Sequence, residues 1–193
     1  MAVTTIPTAG IADGAVDTAQ LADDAVTAAK SSGLGISQAD FWLFNSDPQI
    51  AAKTFTTLTN WARPTDTDDE YGRIGTGLSV SSGIFTFPET GIYEITCMLT
   101  FTEIGNNSPL NYNEIQVTDD GGSTYDSAAT SLCHLQSTNP DQTSCSVSGF
   151  LLDVTSTTNV KIRVRAYCDE ICKVYGEALN AYSFIRFTRL GDT

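Results

Sequence analysis

Between residues 92 and 102 the side chains alternate without a break. Tyr93, Ile95, Cys97, Leu99 and Phe101 fall on one parity, and Glu94, Thr96, Met98, Thr100 and Thr102 on the other. A period of two over that length suits a β-strand with one face in a core and the other largely polar, and no helix could bury such a set on one side. A second run, 160–167, sets Val160, Ile162, Val164 and Ala166 against Lys161, Arg163, Arg165 and Tyr167, so three cations line one ridge. That ridge either pairs with acidic residues of a neighbouring strand or subunit or stands solvated. From residue 37 onward short apolar runs recur between clusters of Gly, Pro, Asn and Asp, with no helical pattern between them. The predicted fold class is an all-β sandwich that fills residues 37–193.

The first thirty residues obey a different rule. Aligned in tens, MAVTTIPTAG, IADGAVDTAQ and LADDAVTAAK bring Met1, Ile11 and Leu21 into one column and Ile6, Val16 and Val26 into another. Large aliphatic residues every five positions fit neither a continuous helix nor a strand, so residues 1–30 read as three decapeptide repeats with one narrow apolar row. Such a row is buried only against copies of itself or against another protein, which makes the segment an anchor or trimerisation element. Its Gly, Asp and Thr content also suits a disordered tail. Residues 31–36, rich in Ser and Gly, read as a hinge.

Composition narrows the function. A chain of 193 residues holds one all-β domain and an appendage. Its net charge of −13 repels phosphate backbones and anionic lipid, so neither nucleic-acid binding nor membrane insertion is expected. No apolar stretch has the length of a membrane helix and no signal peptide is visible, so the chain is expected to fold in the cytoplasm where it is made.

Cysteine chemistry is expected to be structural. Cys97 lies on the apolar parity of its strand and reads as a buried thiol. Cys168 and Cys172 stand four apart and His134 is the sole histidine, which argues against a zinc site. Cys133 and Cys145 are symmetric about Asn139-Pro140, a predicted hairpin turn, and Cys168 and Cys172 flank Asp169-Glu170-Ile171 in the same way. Each pair is either a cross-strand disulfide or two free thiols. The acidic run 66–70 lacks the glycine and distal glutamate of a helical calcium loop and reads as a solvated loop. No metal, cofactor or catalytic residue is expected.

Three stretches resemble known families. The wording of residues 11–30, and loosely of 1–10, resembles the tandem repeats of bacteriophage tail-fibre and appendage proteins. The run 118–125 resembles the Asp-box hairpin of sialidase propellers, in a single copy with Tyr125 in place of the usual Trp, which argues for a hairpin and not for a glycosidase. Phe85, Phe87, Pro88, Gly91 and Tyr93, followed by the closing run 181–190 and with 41–44 as first strand, resemble the jelly-roll superfamily of complement and tumour necrosis factor. That resemblance implies a jelly roll of about ten antiparallel strands whose last strand lies in the middle of a sheet. It also implies a homotrimer with aromatic and aliphatic side chains along the threefold axis.

Together these resemblances imply a structural virion protein: a homotrimeric fibre or appendage anchored through residues 1–30 to other virion proteins of the capsid, neck or tail. The jelly-roll head would project outward and meet a host surface glycan or protein through loops at its outer end. A decoration or cement protein without a receptor role is the alternative. A glycan-degrading tail spike and a secreted cytokine-like ligand are the weaker ones, the first for want of paired carboxylates across a cleft.

Overall fold

A computed structural model of the chain describes residues 35–65, 72–104, 108–136 and 142–193. The decapeptide repeats with Met1, Ile6, Ile11, Val16, Leu21 and Val26, most of the hinge, the acidic run 66–70 and the Asn139-Pro140 turn lie outside the described residues.

The described residues form thirteen strands: β1 (Ala39–Phe44), β2 (Gln49–Ile50), β3 (Thr56–Thr57), β4 (Trp61–Ala62), β5 (Ser79–Ser81), β6 (Ile84–Thr86), β7 (Gly91–Glu103), β8 (Ser108–Thr118), β9 (Asp126–Leu135), β10 (Thr143–Val154), β11 (Lys161–Cys168), β12 (Cys172–Tyr175) and β13 (Phe184–Gly191). All strand pairings are antiparallel. The count exceeds the expected ten because the irregular stretch 45–65 makes three two-residue pairings, too short to carry a period in sequence. No helix among the described residues is long and apolar enough to cross a membrane.

Two sheets make the sandwich. In sheet A, β7 is central: β10 pairs along one edge, while β13 and β12 share the other, followed outward by β1 and β4 and by β2. In sheet B, β11 plays the same part, with β8 and then β9 on one edge and β6 and β3 sharing the other. The last strand, β13, therefore lies between β7 and β1, inside a sheet.

The alternation of β7 sets the core. Tyr93, Ile95, Cys97, Leu99 and Phe101 are all fully buried, and they meet Ile162, Val164 and Ala166 of β11 in one cluster. Its aromatic centre is Phe85, Phe87, Tyr93 and Phe187, with ring centroids 4.8 Å apart for Phe87–Tyr93 and 5.2 Å for Phe85–Phe187. The Tyr93 hydroxyl leaves this apolar surrounding to donate to the Glu89 carbonyl at 3.0 Å. Gly91 sits at φ 140°, where a Cβ would fall 2.5 Å from the Arg189 Nε and the Gly191 carbonyl. That close approach lets the Phe-x-Phe-Pro turn feed directly into β7.

Candidate interaction surfaces

The cation ridge of β11 is satisfied on its own sheet. Arg165 meets the Glu114 carboxylate of β8 at 2.6 Å through Nη2 and 2.7 Å through Nε. Arg163 donates to the Gln116 side chain at 2.8 Å and lies 3.9 Å over the Tyr125 ring. Lys161 donates to the Gly121 carbonyl at 2.9 Å. Register explains the match, since Arg163 stands opposite Gln116 and Arg165 opposite Glu114.

Next along the same face, toward the end of the roll where β11 finishes, lies an aromatic cluster. Tyr167 faces Tyr112 with centroids 5.1 Å apart, and Phe55, just before β3, sits 5.0 Å from Tyr167 and 5.9 Å from Tyr112. The Arg165 guanidinium stacks on Phe55 at 4.3 Å. Leu132 of β9, opposite Tyr112 in register, extends the cluster and is 53% exposed. Tyr167 was legible as part of the ridge. Phe55 was not, because it arrives from the irregular stretch, and only its place before the β-forming Thr56-Thr57 signals it.

Hairpin chemistry alone accounts for the run that resembles an Asp-box. The Asp120 carboxylate accepts from the Thr118 hydroxyl at 2.7 Å, from the backbone amides of Gly122, Ser123 and Thr124, and from the Thr124 hydroxyl at 2.7 Å. These donors, Thr118 first, hold the carboxyl well below the usual carboxylate range. With its oxygens so occupied, Asp120 organises the turn.

The cysteines divide in an unexpected way. Cys168 and Cys172 are joined by a disulfide, and it bridges the sheets, because Cys168 ends β11 in sheet B while Cys172 opens β12 in sheet A. Cys133 and Cys145 are both free, and the bridge weighed for them does not form. The reason is topological: β9 and β10 do not make a hairpin but close opposite sheets, so Cys133 turns into the core while Cys145 turns outward. The Cys133 thiol reaches the Ser144 carbonyl at 3.9 Å, and Cys145 contacts the Thr100 hydroxyl at 3.3 Å. Cys97 is also free and fully buried. Among the described residues no group of three or more His, Cys, Asp or Glu side chains could hold a metal ion.

An apolar band crosses the outer face of sheet A among polar side chains such as Glu94, Thr96 and Arg186. Val147 of β10, Met98 of β7 and Phe184 of β13 are successive cross-strand neighbours, and Phe184 stacks on Phe41 of β1 at 5.0 Å. Val147 is 55% exposed and Leu151, four residues further along β10, 62%. Beside this band the outer edges of β9 and β10 pair with no further strand among the described residues.

Two sheets of this order, closed by β9 and β10 and with the final strand inside, define the architecture. The fold is a tumour-necrosis-factor-like jelly roll. It is similar to the structure of Eiger TNF from S. frugiperda, with a TM-score of 0.58 at 16% identity over 80% of this chain and 93% of that one. Murine APRIL at pH 8.0 is similar with a TM-score of 0.55 at 13% identity, over 79% of this chain and 98% of that one. Identities this low carry the fold alone. No protein-family model matches the chain, and no curated protein sequence does. Within the jelly roll the residues that carried the resemblance take inner positions: Phe85, Phe87 and Tyr93 are buried, Pro88 is half-buried, and Gly91 supplies the turn.

Proposed function

We propose that this chain is a structural, non-catalytic subunit of a bacteriophage fibre or appendage. In this reading it is a homotrimer whose jelly-roll head faces outward while residues 1–30 attach it to other virion proteins. The observation that carries the trimer is the apolar band on the outer face of sheet A, in which Val147 and Leu151 are exposed and Met98 and Phe184 half-buried. A lone soluble domain leaves such a band to water, and packing it against identical neighbours buries it. The phage setting is supported by the wording of the decapeptide repeats.

Mass by light scattering tests the first half: the full chain should run at three times 20.6 kDa. Val147→Asp, which puts a charge into the band, should shift it toward the monomer with its thermal transition retained. A wild-type mass equal to one chain at micromolar concentration would refute the trimer. Antibody labelling of intact particles tests the second half, and absence of the protein from them would refute the virion role. The Cys168–Cys172 bridge favours a second reading, a secreted ligand working in an oxidising medium. Protein found free in the medium and never on particles would select it.

A further inference from the structure

We propose that the aromatic cluster on the outer face of sheet B is a binding site for a neutral saccharide. It consists of Phe55, Tyr112, Tyr167 and Leu132, with the Arg165–Glu114 pair at its margin.

Its position in the fold is the first argument. The register sets Tyr167 and Tyr112 next to Cys168 and Asn111, at the end of the roll where β7 finishes at Glu103. The two ends of the described head leave from the opposite end. There Ser37 donates to Glu89 at 2.7 Å, and Arg189 contacts both Ser37 and Asp192. The cluster thus lies far from the point where the head joins the rest of the chain, and on a different sheet from the apolar band of sheet A.

Size and chemistry choose the occupant. With Phe55 40% and Leu132 53% exposed and both tyrosines half-buried, the patch offers on the order of 300 Å² of apolar surface, against about 800 Å² per partner in a standard protein interface. That is the area of a few sugar rings. The axial C–H groups of a pyranose form an apolar face that stacks on aromatic rings, while its rim of hydroxyls needs donors and acceptors alongside. Tyr112 and Tyr167 carry phenolic hydroxyls. The Arg165–Glu114 pair, with side chains 22% and 8% exposed, closes the polar margin of the patch. The preference for an uncharged sugar follows from charge. Arg163 and Arg165 are engaged by Gln116 and Glu114, and a chain of net charge −13 repels sialylated or sulfated glycans at long range. Neither the trimer nor the virion role is needed for this site.

The test is a printed array of neutral oligosaccharides of two to four hexose or N-acetylhexosamine units beside sialylated and sulfated counterparts, probed with the full-length chain. Titration of the best neutral binder, followed by tyrosine fluorescence, then compares wild type with Phe55→Ala and Leu132→Ser. Binding to neutral members that each variant weakens by about tenfold, at unchanged oligomeric mass, is the expected result. Leu132 is a surface residue, so its variant reports even if Phe55→Ala fails to fold. A blank array, binding confined to charged members, or affinities within about twofold of wild type in the folded variants would overturn the assignment. A protein partner whose binding those variants abolish, with the array blank, would overturn it as well.

Discussion

Asn113, fully buried on β8 of sheet B, donates its side-chain amide across the sandwich to the Cys97 carbonyl of β7 at 3.0 Å. The second hydrogen of the same amide goes to the Ser146 carbonyl of β10 at 2.9 Å, so one side chain holds two strands of the opposite sheet. Ser146 in turn shares a hydroxyl hydrogen bond with Ser131 of β9. Between β8, β9 and β10 the interior is therefore hydrogen-bonded from sheet to sheet.

Asn113→Ala removes both donors and leaves two carbonyls without this partner in a region closed to water. The expected loss is about 1–3 kcal/mol of unfolding free energy, read as a lower midpoint in urea at constant slope. Asn113→Asp should be worse, since the carboxylate has no hydrogen to offer either carbonyl. An unchanged midpoint in both variants would mean that the bridge contributes nothing to stability.

Tyr93 gives a register test and a pH test. Tyr93→Ala should cost about 3–5 kcal/mol by opening a cavity against Phe87, while Glu94→Ala, one residue on and exposed, should leave the melting temperature nearly unchanged. Burial, and secondarily the nearby Glu89, push the Tyr93 phenol up from 10.0 to about 12. Ionisation is thus easier in the unfolded chain, so the stability this group contributes is intact below pH 10 and is lost as pH rises toward 12. Tyr93→Phe should flatten that alkaline decline while lowering stability slightly at pH 7 through loss of the Glu89 hydrogen bond. Parallel alkaline limbs in the two proteins would contradict the assignment.

The three free thiols should react in an order set by burial. Burial raises the Cys133 thiol to about 11 and Cys97 further still, and only Cys145 is exposed. Under native conditions at pH 8, a disulfide-exchange reagent should titrate one thiol quickly, and the other two only on unfolding. Rapid release from all three in the folded protein would show that the β9–β10 side of the roll opens readily.

Much of this architecture was legible because the long strands carry a clean period of two. The run 92–102 became β7 with one residue added at each end, and 160–167 became β11 shifted by one. β9 and β10, expected to face each other across a hairpin carrying Cys133 and Cys145, lie in different sheets for a definite reason. A turn that closes a hairpin and a turn that passes from one sheet to the other use the same residues, so symmetry about Asn139-Pro140 could not tell them apart. The closing strand starts later than its β-forming residues suggested, at Phe184, because Ser183 turns inward to donate to the Tyr175 carbonyl at 2.6 Å and accept from the Thr100 amide at 2.9 Å. The aromatic cluster was hidden for a simpler reason. Phe55, Tyr112 and Tyr167 come from three separate stretches, and only the register of β8 and β11 and the β3 pairing bring them together.

The hold of Arg189 on both ends of the head has a mechanical consequence. Tension applied to the chain at Ser37, directed away from the roll, enters along β1, whose ladder with β13 runs from Ala39 opposite Thr188 to Leu43 opposite Phe184. Because that pull is parallel to the strands, it shears all the rungs of the ladder at once and cannot peel them one after another. The Arg189 contacts to Ser37, Thr90 and Asp192 stand in front of the ladder and take up the first strain. A head tethered in this way resists being torn from its tether far better than one whose first strand could be unzipped from its end.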